Sequence, residues 1–89
     1  MDTPKTPDIY APPLTASLLR YANQDLVEPD YIVRNDKDDP TIYVFGWEHA
    51  DELAAAAEVA ERVAVEDFEA IRIRTFRAML DGMRSVVGP

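Results

Sequence analysis

Cysteine is absent from these 89 residues, which excludes disulfides, thiolate zinc sites, iron–sulfur clusters and cysteine nucleophiles. Folding must rest on packing. Histidine occurs once, as His49, so any imidazole acid–base chemistry would run through that single residue. The three glycines, Gly46, Gly82 and Gly88, are too scattered to form a GxGxxG turn, a Walker lysine loop or a GxSxG elbow. No stretch approaches the roughly 18 apolar residues needed to cross a bilayer, the longest strong run being Ile42 to Trp47. Met1-Asp2-Thr3-Pro4-Lys5 leads into no apolar signal segment, so the expected location is the cytoplasm, with no membrane contact.

Positive charge is also scarce. Nine basic residues, only Lys5 and Lys37 of them lysines, stand against 17 acidic ones for a net charge of −8. That balance disfavours the phosphate backbone of nucleic acids, whose affinity comes largely from Lys and Arg displacing counterions. It is compatible with a solubility or salt adaptation, with a surface made to meet a basic protein, or with imitation of nucleic acid. The distribution is uneven. Residues 41–67 are strongly acidic, whereas residues 68–89 hold Arg72, Arg74, Arg77 and Arg84 against Glu69 and Asp81.

What remains is the composition of a small folded domain, with 47% hydrophobic and 29% charged residues. The length suffices for one core and not for two. Four of the seven prolines, Pro4, Pro7, Pro12 and Pro13, fall in the first 13 residues, which predicts an extended or disordered arm over 1–12 and a single domain over 13–89. Leu14, Leu18, Tyr21 and Ala22 have the spacing of one buried helix face, predicting a helix over about 14–24. Asp30–Arg34 and Thr41–Trp47 read as strands joined by the turn formers Asn35 to Pro40. Symmetric folding of that hairpin sets Val33 opposite Ile42, Ile32 opposite Tyr43 and Tyr31 opposite Val44. Leu53, Ala56, Ala57, Ala60, Val63 and Ala64 predict a helix over about 49–64, with Asp51 and Glu52 at its positive end.

Ala70 to Thr75 alternates as a half-buried strand does, although Phe68, Ile71, Phe76, Met79, Leu80 and Met83 also fit a helix. A helix would turn Ile71 and Ile73 roughly 200° apart and expose one of them, which favours a strand over 69–75. A helix from about Phe76 to Val86 then follows, with Gly88-Pro89 ending the chain. The expected fold is α+β in the order α-β-β-α-β-α, a three-stranded sheet packed on helices with its third strand parallel to the second. The alternative is a β-hairpin plus a helical bundle.

Candidate chemistry is sparse. His49 has Glu48 beside it and Glu52 at i+3, but a metal centre would need further ligands from elsewhere in the chain. The acidic turn Asp36-Lys37-Asp38-Asp39 fails as a calcium loop, because Thr41 and Trp47 stand where Gly and Glu are required. The expectation is therefore no enzyme activity, no catalytic residue, no metal and no cofactor. The most informative constellation is a sheet face. With Tyr31, Val33, Ile42, Val44, Ile71 and Ile73 turned to the helices, Arg34, Tyr43, Phe45, Trp47, Arg72 and Arg74 share the opposite side with Ile32. Aromatics interleaved with arginines are hot-spot chemistry. These six are the candidate partner-binding residues of a small regulator, inhibitor or adaptor that occupies a protein partner, with Trp47 as its anchor. Self-assembly as a homodimer is the second reading.

Overall fold

The computed structural model describes residues 6–87. It is a small α+β domain in which a three-stranded sheet packs on helices, in the order β1 (Ile9–Ala11), α1 (Pro13–Ala22), β2 (Tyr31–Arg34), β3 (Pro40–Phe45), a 3-10 turn (Trp47–His49), α2 (Ala50–Val63) and α3 (Asp67–Val87). The sheet is antiparallel throughout, with β3 central between β1 and β2.

The hairpin has the register that its sequence predicts, Tyr31 facing Val44, Ile32 facing Tyr43 and Val33 facing Ile42. Its turn is closed by Asn35, whose side-chain oxygen accepts the amides of Lys37 and Asp39. Asp38 takes the left-handed conformation at φ 65°, which a short polar side chain tolerates. The carboxylates of this acidic turn thus surround a hydrogen-bonded loop built on an amide side chain.

The third strand differs from the expectation. Residues 69–75 are helical, inside a 21-residue α3, and the strand beside β3 comes from the N-terminal arm, with Ile9 facing Phe45, Tyr10 facing Val44 and Ala11 facing Tyr43. The predicted arm is therefore extended and paired over residues 9–11; its first five residues, like Gly88 and Pro89, lie outside the described residues. Alternation at Ala70–Thr75 was the misleading signal. In the helix Ile73 is fully buried and Ile71 is 58% exposed, so the exposure that argued against a helix is one the protein accepts.

The sheet is also turned the other way round. Ile9, Ala11 and Phe45 are buried in the main core with Leu19, Leu26, Leu53, Ile73, Phe76 and Leu80, and Tyr43 packs against them. The helices therefore cover the face of Tyr43 and Phe45, while Tyr31 and Val33 on the opposite face stay exposed at 52% and 43%. Both faces of β3 are apolar, so β3 alone does not choose; β1 decides, because Ile9 and Ala11 extend the Phe45 side into a surface large enough to receive the helices.

The helices follow from local chemistry. Pro13 opens α1, where its missing amide costs nothing and its φ is preset. Leu53, Ala56, Ala57 and Ala60 give α2 a small-residue stripe that is buried, permitting close approach of α1 and α3. Before α3, the amide of Glu66 donates to Glu69 Oε1 at 3.2 Å, one half of a capping box. The apparently basic C-terminal segment is mostly neutralised internally. Arg74 and Arg77 both bind Glu61 on α2, at 3.0 and 2.6 Å, and Arg84 binds Asp51 at 2.6 Å.

Those two arginines lower the Glu61 pKa below its ordinary 4.5, chiefly through the Arg77 hydrogen bond and then that of Arg74. A lowered folded-state pKa means that the contribution is complete above the ordinary carboxylate range and is lost as pH falls through the folded value. Thermal melts of Glu61→Gln should therefore depend less steeply on pH below about 4.5 than those of the parent. Parallel pH profiles for the two proteins would remove Glu61 from this role.

Candidate protein-interaction surface

The uncovered face of the sheet carries Tyr10, Tyr31, Val33, Ile42 and Val44. Val44, central in the sheet, lies opposite Tyr10 on one side and Tyr31 on the other and is fully buried, while these two tyrosines are 50% and 52% exposed. The Tyr31 hydroxyl titrates above its usual 10.0, through desolvation first and then the nearby Asp8 carboxylate and Tyr10.

Tyr10 also joins this face to a groove of about 480 Å³ between the β1 segment and α3, where Pro12, Phe68, Ile71, Phe76 and Met79 line the walls. Past Met79 the surface continues into a second hollow formed by Pro7, Met83, Val86 and Val87. Tyr10 thus belongs both to the open sheet face and to the groove, and Met79 both to the groove and to the second hollow, with Thr15, Arg72 and Thr75 as polar members of the groove wall. Phe68 and Ile71 are each more than half exposed within the groove. Contiguous exposed apolar area of this kind marks interaction sites more often than scattered single residues do.

The β1 edge adds one feature. Val44 accepts the Asp30 amide at 2.8 Å on its β2 side; because backbone groups alternate along a strand, Tyr10 opposite it turns its own N–H and C=O away from β3. Pro7 and Pro12 bracket this short edge, which limits strand addition to little more than the Tyr10 pair.

The six residues singled out from sequence are dispersed. Phe45 is in the core, and Tyr43 and Trp47 pack against it. Arg34 sits at the end of the hairpin, donating to the Asp38 carbonyl at 2.9 Å. Arg74 is committed to Glu61. Arg72 alone lines the groove, and it makes no salt bridge among the described residues. The residues that sequence reasoning missed are Tyr10, Tyr31, Phe68 and Ile71. Their signal was present in Phe68 and Ile71, whose spacing fits a helix in which an apolar residue is left outside.

No helix among the described residues is long and apolar enough to cross a membrane. The chain matches no family model, no curated protein and no solved structure.

Proposed function

We propose that this is a non-enzymatic protein of the cytoplasm that acts by occupying a protein partner, as a small regulator, inhibitor or adaptor, through the surface formed by the open sheet face and the α3 groove. The observation that carries this reading is the continuity of the surface through Tyr10, which links two half-exposed tyrosines to the Phe68–Ile71 groove. Aromatic residues are enriched in binding hot spots because they bury large area with few rotors, and arginine because its planar guanidinium offers several donors in a fixed geometry. The partner that fits presents apolar side chains to the groove and a carboxylate to Arg72. At longer range the net charge of −8 favours a partner of opposite sign and an association rate that falls with salt.

A photo-crosslinking amino acid placed at Tyr31 or Ile71, and at Glu58 on the far side of α2 as control, tests this in the source cells. Expected is one adduct of defined mass from the first two positions and none from the third. In vitro, the Tyr10→Ser/Ile71→Ser variant should stay folded and bind the crosslinked partner on the order of 10-fold or more weakly, the loss of two anchors. Adducts of twice the chain's own mass would assign the surface to a homodimer instead, and equal labelling from all three positions would remove the reading.

A further inference from the structure

Asp30, just before β2, and Glu48 and His49, in the turn that leads into α2, bring one ligand atom each to within 4.8 Å of one another. His49 Nε2 is 3.5 Å from Glu48 Oε1 and 3.9 Å from Asp30 Oδ1. These separations are too long for hydrogen bonds, and none of the three side chains makes a hydrogen bond to any other described residue. No lysine or arginine pairs with either carboxylate among the described residues. Two acidic groups thus converge on one imidazole with donor atoms that leave space between them.

Gly46 lies directly beside this convergence. It is buried and has φ −67°, ψ 154°, a conformation open to any residue. A Cβ there would overlap Glu48 Oε1 and stand 2.8 Å from Asp30 Oδ2. A methyl group at position 46 would press on the ends of the Asp30 and Glu48 side chains, which are 49% and 72% exposed, and would shift them from their present positions.

We propose that Asp30, Glu48 and His49 form a binding site for a divalent cation of the zinc class, with one imidazole nitrogen, two carboxylate oxygens and the remaining position left to water. Zinc bonds of about 2.0–2.2 Å place tetrahedral ligand atoms roughly 3.3–3.6 Å apart; the two distances from His49 Nε2, 3.5 and 3.9 Å, are within about half an ångström of that spacing, and the two carboxylates, whose ligand atoms lie within 4.8 Å of each other, close the rest by side-chain rotation. The mixed nitrogen and oxygen set selects zinc over calcium and magnesium, which take oxygen ligands. In sequence the partners at hand for His49 are Glu48 and Glu52. In the fold Glu52 turns away to accept the Val27 amide at 2.8 Å, and Asp30 comes in from the other end of the hairpin to complete the set.

Titration of the full chain with zinc chloride, followed by calorimetry and by the imidazole resonances of His49, tests the site. Expected is saturable uptake of one ion per chain with the His49 resonances shifted. His49→Ala and Asp30→Asn should each weaken uptake on the order of 10-fold or more, while Glu58→Gln leaves it unchanged. Gly46→Ala, which keeps every ligand but displaces the Glu48 carboxylate, should weaken it as well. Circular dichroism of each variant verifies folding, and where a variant unfolds the His49 resonances of the parent decide. Absence of saturable uptake, unchanged affinity in folded His49→Ala, or uptake displaced by equimolar magnesium with His49 unshifted would overturn the site, the last leaving only carboxylates that attract cations.

Discussion

Replacing Phe45 with alanine should leave the domain unfolded or barely folded. Phe45 is 1% exposed, pairs with Ile9 on β1 and belongs to the main core; truncating a buried phenylalanine costs about 3–5 kcal/mol through lost transfer energy and the cavity left behind. A domain of this length has roughly 5–10 kcal/mol to lose. The same truncation at Tyr31, one strand away and on the opposite face, should cost less than about 1 kcal/mol, because half of that ring is already in water. Urea melts of the two variants beside the parent give the measurement. A stable Phe45→Ala with a destabilised Tyr31→Ala would mean that the helices cover the other face of the sheet.

That pair of variants also shows how far residue pattern alone reaches. Alternation and turn chemistry determine the hairpin down to its register, since a one-residue slip would move every side chain to the wrong face. They do not determine which face is covered, because Ile42 and Val44 compete with Tyr43 and Phe45 on nearly equal apolar terms. The deciding residues, Ile9 and Ala11, lie in a three-residue strand bracketed by Pro7 and Pro12 and pair with residues more than thirty positions away. Nothing local marks so short a strand, and the prolines that suggest an unpaired arm instead restrict its outer edge.

The candidate surface was legible only in fragments for the same reason. Arg72 was identified from its neighbours on an imagined strand and lies in the groove by way of a helix. Trp47 reads as an interface anchor because it follows a strand on the side thought to be open; it packs against the core instead. Tyr10 and Tyr31 were assigned to an arm and to the covered face, and become central once β1 is in the sheet. Of the Asp30–Glu48–His49 cluster, the pair Glu48–His49 was legible in sequence and Asp30 was not, because its approach depends on the hairpin folding back to the start of α2.

Aspartate at Ile73 should abolish folding, while aspartate at Ile71 should leave stability close to that of the parent. In a strand over 69–75 the two residues would share a face and the two variants would suffer together. In α3 they point to different sides: Ile73 is fully buried with Phe76 and Leu80, one turn and two turns further along the same stripe, and Ile71 is 58% exposed in the groove. An unpaired carboxylate at position 73 must either be desolvated or protonated, and it also removes a buried isoleucine, so the loss should exceed about 4 kcal/mol and consume most of the stability available. At position 71 the carboxylate reaches water, with Arg72 as its chain neighbour, and the melt should move by less than about 1 kcal/mol. The folded Ile71→Asp variant then serves a second purpose. Placing a charge in the Tyr10–Phe68 groove should weaken capture of the crosslinked partner on the order of 10-fold or more, with no change in fold to blame. Urea melts and partner binding measured on the same preparations separate the outcomes: similar destabilisation of both variants would return residues 69–75 to a strand, and full partner binding by folded Ile71→Asp would take the groove out of the interaction surface.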